Sequence, residues 1–226
     1  MEGVSAADRY RQAIALGVDY VEFDVRRTKD GVTVIFHDDH TGSGRDVRGL
    51  AYTDLASEIG IEALTLDELL EVGAGRVGLH LDLKEPGYEA EIVRTVLDRC
   101  RVDEFVITSG VDEIRTIKEV FPEVRGGLSI GDDLIGVAPW LKVRERLREL
   151  FPRCRIERSH ADFVAVHQHL AVLSALRYCE REHLPAWVWT VDDERSIARF
   201  IADPRVSALI TNRPDIALRL RGLSSA

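Results

Sequence analysis

From Val18 onward the chain alternates short runs rich in β-branched and aromatic residues with longer segments of helical period, and no other feature restricts its fold as strongly. Alternation of this kind builds a parallel sheet, because a helix must carry the chain back before the next parallel strand can pair. Strands are predicted near residues 18–25, 77–84, 104–109, 125–130, 162–167, 186–191 and 207–211. Helices are predicted near 5–16, 65–73, 88–100, 111–120, 138–150, 171–183, 193–202 and 214–221. Seven strands preceded by a helix read as α/β, a TIM-type (β/α)8 barrel lacking its first strand in this chain, with an open doubly wound sheet as the alternative. Asp192-Asp193 and Thr65 supply helix-start signals. Residues 26–64 hold a hairpin and then, from 39 to 64, a connection rich in Gly, Ser, Thr and Asp that is expected to form a loop over one end of the barrel.

At 226 residues and 45% hydrophobic, the chain can bury one substantial core, so residues 1–226 are expected to form a single domain. Lys and Arg number 30 against 39 Asp and Glu, a net charge of −9 with no basic cluster, which argues against nucleic acid as a partner. An acidic protein that takes an anionic substrate needs a bound cation or a few placed Lys and Arg side chains. Cys100, Cys154 and Cys179 lack metal or disulfide spacing, which suits a reducing compartment and makes the cytoplasm the expected location. No signal-like start or membrane-length apolar run is present, so membrane insertion is not expected. A homo-oligomer is left open.

In Val18-Asp19-Tyr20-Val21-Glu22-Phe23-Asp24-Val25 strand alternation puts Glu22 and Asp24 on one face near the C-terminal end of a strand. Two neighbouring carboxylates are costly unless a cation sits between them, and barrel active sites lie at that end. An isolated Glu-x-Asp is more often a solvated strand end. The turn signal Lys29-Asp30-Gly31 changes the balance: if the chain reverses about Asp30, His37 returns opposite Asp24. A loop histidine bonded to Asp38 is the plainer alternative. In Gly78-Leu79-His80-Leu81-Asp82-Leu83-Lys84 the polar residues share one face. Asp82 could complete a three-carboxylate site suited to Mg²⁺ or Ca²⁺, and Lys84 could hold a phosphate oxygen, with an internal Asp82–Lys84 ion pair as the lesser reading. His80, His167 and His169 read as core or rim residues. Trp189 could be core or an apolar wall for a ligand.

Together these segments resemble the glycerophosphodiester phosphodiesterases from about Tyr10 to Leu218. The resemblance is carried by Ala15–Val25, Thr28-Lys29-Asp30-Gly31 and His37-Asp38-Asp39, with support from Leu64–Leu70, Asp82-x-Lys84, Trp189-Thr190-Val191 and Ile210–Pro214. It implies metal-dependent hydrolysis of a small phosphodiester to an alcohol and glycerol phosphate. Glu22, Asp24 and Asp82 would be the metal ligands, and His37 one of two acid/base histidines. Lys84 and Trp189 would bind substrate. The family usually has Glu at position 82, so Asp82 keeps the charge on a shorter arm. The family's initial His-Arg-Gly strand has no counterpart in this chain, and truncation explains that more economically than loss. A chain with one of the two histidines is expected to hydrolyse its substrate poorly, since a general acid or base is worth roughly 10²–10⁴ in rate. Two rival readings are a non-catalytic binding protein on the same fold and an enolising lyase or isomerase built on the same metal.

Overall fold

The computed structural model describes residues 5–61, 63–131 and 153–224. The chain falls into two compact parts, Met1–Ile107 and Thr108–Ala226. The first contains α1 (Ala6–Ala15), β1 (Tyr20–Arg27), β2 (Thr33–Ile35), a 3₁₀ turn (Val47–Gly49), α2 (Tyr52–Ile59), α3 (Leu66–Gly73), β3 (Gly78–Leu83) and α4 (Glu89–Leu97). β4 (Phe105–Ser109) begins there. Its strand order is β2-β1-β3-β4. β1 and β3 run parallel, with Tyr20 beside Gly78 and, at the far end, Val25 beside Leu83. Gly78 allows this start, because a Cβ there would lie 2.8 Å from the Asp19 carbonyl oxygen and closer still to the Tyr20 ring.

Alternation decides which side of this sheet is apolar. Val21, Phe23 and Val25 of β1 and Leu79, Leu81 and Leu83 of β3 are buried, as are Leu69 and Leu70 of α3 and Ile92, Val93 and Val96 of α4. Glu22, Asp24 and Asp82 occupy the alternate positions. Side chains cap both helix starts: Ser5 accepts the Asp8 N–H at 3.1 Å, and Thr65, a signal read in the sequence, forms a reciprocal capping box with Glu68.

The second part carries α5 (Val111–Val120), β5 (Arg125–Ile130), α6 (Arg153–Ser159) and β6 (Phe163–His167). A helix follows in three segments, α7 (Gln168–Leu170), a π-helical turn (Ala171–Ala175) and α8 (Leu176–Arg181). It ends with β7 (Ala186–Trp189), α9 (Glu194–Ile201), β8 (Val206–Leu209) and α10 (Pro214–Ser224). Its strands run in the order β5-β6-β7-β8, each parallel to the next. Asp193 caps α9 by accepting the Ser196 N–H at 2.9 Å. The helix predicted near 138–150 lies outside the described residues. Among the described residues, no helix is long and apolar enough to cross a membrane.

The connection expected to be a loop from 39 to 64 has structure of its own. Val47, Leu50, Leu55 and Ala63 bury themselves with Val34, and Val32, Phe36, Tyr52 and Ile59 pack around them. The Tyr52 hydroxyl donates to the Ala63 carbonyl at 2.9 Å, and Gly60 ends α2 with φ 71°. High Gly, Ser and Asp content hid α2, because the apolar residues that hold it are spread over thirty positions and meet only when the hairpin folds.

Candidate active site

Parallel pairing of β1 with β3 sets Asp24 beside Asp82 and Glu22 beside His80. One carboxylate oxygen from each of Glu22, Asp24 and Asp82 lies within 4.8 Å of the others. So the expected convergence is present. The side chains of Asp24 and Asp82 are each 16% exposed, so water screens their repulsion only partly. Burial, and then the charges of Asp24 and Asp82, push the Glu22 carboxyl up to about 8, with Lys84 acting in the opposite direction.

Lys84 takes a position the sequence reading ranked second. Its ammonium lies 2.5 Å from Asp82 Oδ2 and 2.7 Å from Asp24 Oδ1, so the ion pair exists and bridges two strands. Burial opposes its charge, but the attraction of Asp82 and Asp24 outweighs that and holds its pKa above the usual lysine range. The Lys84 side chain is only 24% exposed, which favours pairing over solvation. Three oxygen donors with surplus negative charge fit a hard divalent cation, and an ammonium drawn onto two of them shows which charge the site selects.

His37 departs from the sequence expectation by one residue. The turn closes with the Thr28 N–H donating to the Val32 carbonyl at 3.0 Å, which leaves Lys29, Asp30 and Gly31 as a three-residue loop, with Gly31 at φ 87°. That loop length pairs Val25 with Ile35, and the Phe36 N–H then donates to the Asp24 carbonyl at 3.0 Å. Phe36 therefore stands opposite Asp24. The His37 imidazole is 76% exposed, and its Nδ1 lies 2.8 Å from Asp38 Oδ1, which is the contact of the plainer reading.

Sequence reasoning missed what fixes the His37 backbone. Arg26 is buried and forks onto the His37 carbonyl, with Nε at 3.1 Å and Nη2 at 2.8 Å. Its Nη1 pairs with buried Glu85, which also accepts the Tyr88 hydroxyl at 2.7 Å. The signal was present in alternation, which puts Arg26 on the same strand face as Glu22 and Asp24.

His80 is buried at 2% exposure, and burial pushes its pKa down to about 4, against a weaker opposite pull from Asp82. Its ordinary value is 6.5, so as pH falls from 6.5 towards 4 the unfolded chain takes up a proton that the folded chain refuses. We expect this to cost about 3 kcal/mol of stability across that window. Urea titrations of wild type and His80→Asn should diverge there and run parallel above pH 7. In the second part, His167 at the end of β6 sets its ring 5.2 Å from that of Trp189 and 5.0 Å from that of His169. Trp189 is half-buried at the end of β7, and its indole Nε1 is buried with no hydrogen-bond partner among the described residues.

Solved structures share this fold. A glycerophosphodiester phosphodiesterase from Parabacteroides distasonis superposes with a TM-score of 0.78 at 18% identity, covering 98% of this chain and 91% of that one. An Oleispira antarctica phosphodiesterase, solved with its product sn-glycerol-3-phosphate, gives 0.72 at 20% identity, covering 95% and 89%. The fold class is α/β of the TIM-barrel type, here carrying a carboxylate cluster on adjacent strands. Residues 7–133 match the model of the glycerophosphoryl diester phosphodiesterase family, and the chain belongs to that family of phosphoric diester hydrolases. A glycerophosphodiester phosphodiesterase of Caldanaerobacter subterraneus subsp. tengcongensis is 24% identical over 234 residues, 93% of this chain and 89% of that protein.

Proposed function

We propose that the protein hydrolyses glycerophosphodiesters to an alcohol and glycerol phosphate, using a divalent cation, Mg²⁺ or Ca²⁺, held by Glu22, Asp24 and Asp82. The observation that carries this reading is the convergence of those three carboxylates within 4.8 Å, in a chain of this family. A cation bound there would supply Lewis-acid polarisation of the phosphorus and offset the transition state's charge. Lys84 would turn its ammonium from Asp24 and Asp82 towards a phosphate oxygen, a short step for a flexible side chain. His37 would carry a proton at its imidazole, taking it from the attacking hydroxyl or giving it to the leaving alcohol. Its exposure suits exchange with solvent. By the resemblance, Trp189 would offer an apolar wall to the glycerol moiety. Three free cysteines suit a reducing compartment, and the cytoplasm is the proposed location.

The test is release of choline from glycerophosphocholine. Hydrolysis should require Mg²⁺ or Ca²⁺ and stop on addition of EDTA. Turnover that persists in EDTA overturns the cation's part. Turnover is expected to be slow with His37 alone to move protons, so the activity is overturned by a panel of glycerophosphodiesters left intact even after a strand ending in His-Arg-Gly is joined ahead of Ser5.

A further inference from the structure

We propose that Arg26 is a positioning residue, one that holds the His37 peptide beside the carboxylate cluster through a fork of two hydrogen bonds locked from behind by Glu85 and Tyr88. The inference rests on the reading of His37 as the proton carrier. β2 ends at Ile35, and among the described residues the ladder gives the chain no further hold on β1 after the Phe36 N–H has donated to Asp24. An exposed segment at that point ordinarily frays into water. Here the grip passes to the Arg26 side chain, whose Nε and Nη2 both donate to the His37 carbonyl.

Satisfying one carbonyl does not require a guanidinium, since water would do it. A buried arginine instead carries a desolvation cost that only a paired, hydrogen-bonded carboxylate offsets. Glu85 supplies that partner: the Arg26 and Glu85 side chains are 9% and 8% exposed, and the Tyr88 hydroxyl shares its one proton between Glu85 Oε2 at 2.7 Å and the more distant Val25 carbonyl at 3.1 Å. Glu85 is thereby fixed against β1 itself. Asp24 and Arg26 are two residues apart on the same strand, so the strand that presents the carboxylates also fixes His37, and the two sets of groups share one rigid support.

The discriminating variant is Arg26→Lys in the full chain. Lysine keeps the charge facing Glu85 but has no planar fork for the carbonyl. If Arg26 served stability alone, lysine would change little else. If it positions His37, the Asp38 amide, which belongs to the same peptide plane as the His37 carbonyl, should drop in NMR order parameter from about 0.85 to below about 0.6. Turnover of glycerophosphocholine should fall about 10²-fold at unchanged KM. The melting temperature should fall with the two lost hydrogen bonds, whereas its rise on adding Mg²⁺ should stay within error. Should the lysine variant fold poorly, the double variant Arg26→Met with Glu85→Met leaves no lone buried charge and must show the same loosening. An unchanged order parameter overturns the proposal, and so does a loosened peptide with undiminished kcat. If the wild-type chain hydrolyses nothing even with a His-Arg-Gly strand supplied, the functional reading fails, and the order parameters still decide whether Arg26 holds His37.

Discussion

Glu22→Gln should raise the melting temperature in cation-free buffer at pH 7 while abolishing the stabilisation that a divalent cation gives the wild type. Unfolded, the Glu22 carboxyl has its ordinary value of 4.5, whereas in the fold burial and its two acidic neighbours push it up to about 8. Below 4.5 both states are protonated and the group contributes nothing. As pH rises from 4.5 to about 8 the unfolded chain gives up a proton that the folded chain keeps, so stability falls through that window and then levels off. At pH 7 the accumulated cost is about 3 kcal/mol. Glutamine keeps the shape without the charge, so the variant should melt roughly 6–12 °C higher at pH 7 and no higher at pH 4. With the cation at a hundred times its Kd, the wild type should gain about 2.7 kcal/mol, and the variant little of it. Calorimetry at the two pH values, with EDTA and then with Mg²⁺, reads both effects. A variant that melts lower than wild type at pH 7 without cation would show that the three carboxylates are not in conflict.

His37→Ala should lower kcat by about 10²–10⁴ and leave cation affinity untouched. The side chain is 76% exposed and forms its hydrogen bond with Asp38, so its loss costs the fold little. Stability should stay within about 0.5 kcal/mol of wild type. The comparison is steady-state turnover of glycerophosphocholine alongside Mg²⁺ titration by calorimetry. A marked loss of Mg²⁺ affinity would move His37 among the ligands, and undiminished turnover would remove it from the chemistry.

The sequence determined the alternating architecture and the faces of the two site strands, because strand period is a local property and a chain of 226 residues repeats it many times. β5 and α5 match their predicted bounds, and Glu22, Asp24 and Asp82 were legible as one polar face. The tertiary structure alone decided how those features meet. A three-residue loop at Lys29-Asp30-Gly31 sets Phe36 rather than His37 opposite Asp24, since one residue of register changes every pairing beyond it. Lys84 became a bridge because β1 and β3 pair in a register that sets Asp24 beside Asp82, and no local pattern encodes that offset. Arg26, Glu85 and Tyr88 each look ordinary in the sequence. They form a support only because residues some sixty positions apart are buried together, where a charge must find its partner or stay in water.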